Sequence, residues 1–176
     1  MGYDLYYRKP SEGDEGYFRF GAFSMGFYVE LMADLGMAFE DDPWPEFPEL
    51  PDGLDWSAVS AVRHPEDNAK DLAALSEENK AAATAYLAEI DKTLKAHAAD
   101  TPGIPVHKFS TNDGWIVLPA EAEAAVRAWD GLCEKRGTEA MVAEITEKLG
   151  GDRAEYWLRW VEYLRGAVQH DGFEVH

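Results

Sequence analysis

The densest cluster of groups able to do chemistry is His107, Lys108, Ser110, Thr111, Asn112, Asp113 and Trp115. Gathered on one turn, Asn112 and Asp113 would offer hydrogen-bonding groups, His107 a titratable ring and Trp115 an aromatic wall, a mix suited to a small-ligand pocket. A structural reading competes and is the stronger of the two: Asn-Asp-Gly favours turn geometry, and a Trp just after a turn ordinarily enters the core. His107, Asn112, Asp113 and Trp115 are the candidate ligand-binding residues, with Asp4, Arg19 or His170 as companions if the fold brings them near.

Other chemistry finds less support. Ala22-Phe23-Ser24-Met25-Gly26 approaches the Gly-x-Ser-x-Gly nucleophile elbow, with Ala in place of the first Gly. That elbow needs a parallel sheet of repeated strand-helix units, which the pattern lacks, so Ser24 is expected to cap a helix. Cys133 is the only cysteine, which excludes an intramolecular disulfide and a thiolate metal cage; it is expected as a small core residue. The five histidines form no H-x-x-x-H pair, and neither the Gly-x-x-x-x-Gly-Lys phosphate loop nor the Gly-x-Gly-x-x-Gly fingerprint occurs. No metal site and no cofactor are expected.

A different chemistry, that of recognition, suits Trp44, Phe47 and Trp56. They lie in or beside the stretch Glu40 to Asp55, which carries seven acids, four prolines and no Lys or Arg. Aromatic side chains anchor interfaces and acids steer a basic partner, but packing of these rings back onto their own domain is the stronger of the two readings. The four prolines exclude a lasting helix or a central strand, and an extended loop with polyproline II character is expected.

The elements that would position these residues can be read from periodicity and punctuation. Gly2 to Lys9 and Tyr17 to Phe20 look like short paired strands around a Gly, Ser, Asp and Glu loop. Ser24 opens a helix with Phe27, Tyr28, Leu31 and Leu35 at helical spacing and Gly36 as its stop. Ser76 caps a long helix with Glu77 and Glu78 in its first turn, Ala83, Tyr86, Leu87, Ile90 and Leu94 inward, and an end near Ala99. The stretch from Trp56 to Ser76 carries no clear pattern.

Val106 to Phe109 and Trp115 to Leu118 read as two short strands around the polar turn. Pro119 starts a helix with Ala122, Val126, Trp129 and Cys133 on one face, and Thr138 caps another that ends at Gly150-Gly151. Asp152 and Glu155 suggest a capping box before a helix with Trp157, Trp160, Val161, Leu164 and Val168 inward. Gly172 to Val175 would add a last strand beside the first. The expected class is α+β, mainly helical, with about five helices packed on a small sheet, in a single domain over residues 1–176.

Charge and composition narrow the function classes. A chain of 176 residues with 46% hydrophobic residues and six Trp is able to bury a core. Its 34 acids against 16 Lys and Arg give −18, which repels phosphate backbones and anionic lipid, so direct nucleic-acid binding is disfavoured and a basic protein surface is the preferred partner. Met1-Gly2-Tyr3-Asp4 is not a basic region before an apolar run, and no stretch approaches the ~18 apolar residues of a membrane span, so no membrane association and a cytoplasmic location are expected.

Met1-Gly2-Tyr3-Asp4, the Tyr17-Phe18-Arg19 run before a Gly- and Met-containing helix, Lys108-Phe109-Ser110-Thr111-Asn112-Asp113-Gly114-Trp115 and Gly172-Phe173-Glu174-Val175 together resemble uncharacterised small acidic proteins of actinobacteria and their phages. The resemblance implies a bacterial or phage cytoplasm and an accessory or host-interaction role, and it brings no activity, cofactor or catalytic residue. The leading expectation is a noncatalytic binding or regulatory protein acting through protein contacts. Two others stand beside it: a DNA mimic or anti-defence inhibitor, and a small-ligand binder or enzyme using the His107 to Trp115 turn. Oligomeric state is not encoded in any of these features.

Overall fold

The computed structural model describes residues 2–13, 16–40, 43–96 and 102–176. Contacts divide the chain into two compact units, residues 1–44 with 97–176, and residues 45–96. Among the described residues the chain is α+β, with seven α-helices and six strands, two helices more than periodicity indicates. The helix end expected near Ala99, the loop acids Asp41 and Asp42, and part of the loop between the first two strands lie outside the described residues.

In the larger unit, β1 (Gly2–Tyr7), β2 (Tyr17–Gly21), β5 (Trp115–Val117) and β6 (Phe173–Val175) form an antiparallel sheet in the order β2-β1-β6-β5. The expected pairing of the first two strands and the closing strand beside the first are both present. Alternation sorts the residues: Leu5, Phe18, Phe20, Trp115, Val117, Phe173 and Val175 are buried. Asp4 pairs across to Arg19, and Tyr6 to Tyr17 and Glu174, on the opposite face. A one-residue slip would drive these polar groups into the core, so the pattern itself sets the register.

The inner face meets α7 (Gly151–Gln169), whose Trp160 is fully buried with its ring 5.0 Å from Phe20, 5.4 Å from Phe18 and 5.8 Å from Phe173. Its indole N–H donates to Met32 Sδ at 3.3 Å. Helix α1 (Ala22–Asp34) packs on β1 and β2, and α5 (Pro119–Arg136) and α6 (Thr138–Leu149) pack on α7. Tyr7 stacks on Tyr163 at 4.5 Å and donates its hydroxyl to Tyr163 O at 2.8 Å, an approach that Gly166 permits because a Cβ there would sit 2.1 Å from the Tyr7 Oη.

Several local expectations are corrected. Ser24 does not cap α1: Gly21 occupies that position, and the Ser24 hydroxyl donates back to Gly21 O at 2.9 Å. Phe27 does not join the inner stripe of α1, which is Met25, Tyr28, Leu31 and Met32. Thr138, and Asp152 with Glu155, do not cap their helices. Gly137 and Gly150, at φ 89° and 84°, each end one helix and begin the next, so each junction has a single residue and no room for a side-chain cap.

Val106–Phe109 is a 3₁₀ turn and not the expected strand. His107, Lys108 and Phe109 are all buried on this turn. Just before it, β4 (Ile104–Pro105) pairs in parallel with β3 (Ala38–Phe39). Gly103 allows that pairing, since a Cβ would lie 2.4 Å from Met37 O.

The smaller unit holds α2 (Trp56–Arg63), α3 (Ala69–Ala74) and α4 (Glu77–Leu94), with α2 packed on α4. Asp55 caps α2 by accepting from Ala58 N at 2.8 Å, and Ser76 caps α4, as expected, by accepting from Asn79 N at 3.1 Å. Ala58, Val59 and Ala61 are buried on α2, and Ala83, Tyr86, Ile90 and Leu94 on α4. Residues 43–50 carry neither helix nor strand, in keeping with their prolines.

Candidate functional site

The His107 to Trp115 turn is held by its own hydrogen bonds. The Ser110 hydroxyl donates to His107 O at 2.6 Å, Trp115 Nε1 donates to Thr111 Oγ1 at 2.9 Å, and Asn112 Nδ2 donates to Gly2 O at 3.0 Å. The buried His107 ring meets Trp115 edge-on at 4.6 Å. Asp113 is exposed. Asp4 and Arg19 are an ion pair at 3.2 Å on the sheet, and His170 stacks on Tyr7 at 4.7 Å, so neither joins the turn.

Beneath the turn lies a feature that local spacing only partly announces. Lys108 and Glu121 are fully buried; Lys108 Nζ lies 2.7 Å from both Glu121 carboxylate oxygens and donates to Ile116 O at 2.7 Å. Glu121 Oε2 also accepts from Leu118 N at 2.8 Å, half of a capping box at the head of α5. The pair ties the 3₁₀ turn, β5 and α5 together. Pro119 marks the start of α5 in the sequence, but nothing local announces Glu121 as its cap or Lys108 as the partner of that glutamate.

An open cleft of about 720 Å³ lies elsewhere in the larger unit, between the β1–β2 hairpin, α5 and α7. Tyr7, Phe18, Trp129 and Tyr163 supply aromatic walls, and Asp130, Cys133, Arg159 and Arg165 line it as well. Arg165 engages Asp130 through its two terminal guanidinium nitrogens, at 2.9 and 2.5 Å. This contact holds the Asp130 carboxyl below its ordinary pKa and raises that of Arg165. Cys133, expected in the core, is only half-buried at the rim; burial is the main influence raising its thiol pKa, which keeps it protonated and poorly nucleophilic. None of the turn residues His107, Asn112, Asp113 and Trp115 lines this cleft.

The interface candidates remain at the surface. Trp44 is 49% exposed, with its ring 6.5 Å from His107 in the larger unit. In the smaller unit Phe47 is 39% exposed, and Trp56 is 65% exposed while leaning edge-on against Tyr86 at 6.0 Å. Each Trp rests on its own unit along one edge and presents the rest to solvent. Sequence reasoning missed two further rings, Phe23 and Phe27, 97% and 57% exposed on α1. Helical spacing alone placed Phe27 with Tyr28, Leu31 and Leu35, and the angular position of the inner stripe shows that both rings point away from it.

Among the described residues no group of three or more His, Cys, Asp or Glu side chains is placed to hold a metal ion, and no helix is long and apolar enough to cross a membrane. No protein-family model, curated protein or solved structure matches the chain.

Proposed function

We propose that this chain is a noncatalytic binding or regulatory protein that acts by docking a protein partner with a basic surface. The observation that carries this reading is the exposure of large aromatic rings along a stretch without cations. Trp44, Phe47 and Trp56 stay at the surface in or beside a segment with seven acids and no Lys or Arg. Half-exposed Trp and Phe rings supply the desolvation that anchors an interface, while the carboxylates attract and orient a basic partner. The experiment is capture and identification of the partner from a bacterial lysate, followed by quantitative binding of the purified pair. Trp44→Ala, Phe47→Ala and Trp56→Ala together are expected to weaken binding by about tenfold or more, equivalent to about 1.4 kcal/mol, with the circular dichroism spectrum unchanged. Unchanged affinity in the triple variant overturns the reading.

A second reading, a small-ligand binder, has the cleft beside Asp130 and Arg165 in its favour, since aromatic walls around a few polar groups are what such ligands need. Chemical-shift changes on Trp129 and Arg165 in a small-molecule screen would support it. An absence of shifts there across a diverse set of compounds counts against it.

A further inference from the structure

The outward face of α1 has features that the fold does not use. Its inner stripe of Met25, Tyr28, Leu31 and Met32 faces the sheet and α7, and Phe23, Phe27, Glu30 and Asp34 fall at i, i+4, i+7 and i+11 along a single outer ridge. At a rise of about 1.5 Å per residue the ridge is roughly 16 Å long, or three turns. Its first half is apolar, with Phe23 97% and Phe27 57% exposed, and its second half is anionic. Beside the rings, a Cβ built at Gly26 meets nothing within 4 Å, so another chain can approach the helix backbone closely there.

The second half of the ridge is anionic: Glu30 and Asp34 are both exposed, and α1 itself carries no Lys, Arg or His. Lys148 of α6 reaches Asp34 at 3.4 Å, with both side chains largely in solvent, a contact that a partner's cation can replace at little cost. A ridge that is aromatic at one end and anionic at the other is complementary to a segment with the reverse arrangement. A second copy of this chain is a poor occupant, because each copy brings a net charge of −18.

We infer that the Phe23, Phe27, Glu30 and Asp34 ridge of α1 is a docking site for a basic amphipathic helix of another protein. The partner's apolar residues cover the two phenyl rings beside Gly26, and a Lys or Arg one to two turns away along the partner sits over Glu30 and Asp34. This deepens the reading of the chain as a partner-binding protein, adding a site on the larger unit and the chemistry of what it takes.

The test is a titration of the isotope-labelled full-length chain with a synthetic amphipathic Leu/Lys peptide, read by amide chemical shifts and by affinity. Shifts should centre on α1, and binding should weaken as salt rises. Phe23→Ala with Phe27→Ala should weaken binding about tenfold at unchanged melting temperature, because neither ring contributes to the core. Glu30→Gln with Asp34→Asn should remove most of the salt dependence. Three results overturn the inference: affinity unchanged in the phenylalanine variant, equal binding of a Leu/Glu peptide, or self-association of the parent chain that the phenylalanine variant abolishes. If the α1 variants are inert towards both peptide and captured partner while the Trp44→Ala, Phe47→Ala, Trp56→Ala variant still loses the partner, the α1 site falls and the broader reading stands. If the α1 variants alone lose binding, the docking site moves from the acidic loop to α1.

Discussion

Lys108 and Glu121 show how a polar pair without solvent holds a local structure in place. Each satisfies the other and each also satisfies a backbone group, Ile116 O for the lysine and Leu118 N for the glutamate. Removing one member leaves the other as an uncompensated buried charge, so Lys108→Met is expected to destabilise the larger unit by about 3–5 kcal/mol in urea denaturation, whereas Lys108→Met with Glu121→Met recovers part of that loss. The Asp130 and Arg165 pair is half in solvent and behaves differently. Because Arg165 lowers the folded-state pKa of Asp130, its contribution is present above the ordinary carboxylate value of 3.8 and disappears as pH falls through the lowered folded value. Asp130→Asn should therefore flatten the loss of melting temperature below about pH 4 and leave the slope near neutrality unchanged, which a scan of melting temperature against pH will show.

At the scale of elements, what was legible depended on whether the signal was local. The caps and stops that worked, Ser76 before α4 and Gly36 after α1, act through backbone groups within a few residues, and Ser76→Ala should cost about 1 kcal/mol in thermal denaturation. The terminal strands were visible because dense alternating aromatics have one way to meet a core. Helices α2 and α3, at eight and six residues, carry too few turns to show a period, and the capping box expected at Asp152 yielded to the one-residue junction at Gly150. The candidate site was legible in part. Trp44, Phe47 and Trp56 could be named as interface candidates beside prolines and acids, although self-packing is the stronger reading of them from sequence; Asp130 and Arg165 come from helices 35 residues apart, a pairing no local pattern encodes. Gly166 makes a packing test: Gly166→Ala raises helix propensity but forces the Tyr7 hydroxyl off Tyr163 O, so it should lower the melting temperature, and a smaller side chain at position 7, as in Tyr7→Leu, should reduce that loss.

For the whole molecule, the charge of −18 and the exposed Trp and Phe rings both support the proposed docking of a basic partner, the charge by attracting it and the rings by anchoring it. The interior places its own aromatics with care, seating Trp160 among Phe18, Phe20, Tyr163 and Phe173, which makes the rings left in solvent the exception that function has to explain. The most direct test is the affinity of the captured partner for the parent chain and for Trp44→Ala, Phe47→Ala, Trp56→Ala, measured from low to high salt. Docking of a basic partner on these rings predicts binding that weakens steadily with salt and drops by about tenfold or more in the variant. Binding that neither salt nor the loss of all three rings alters would contradict it.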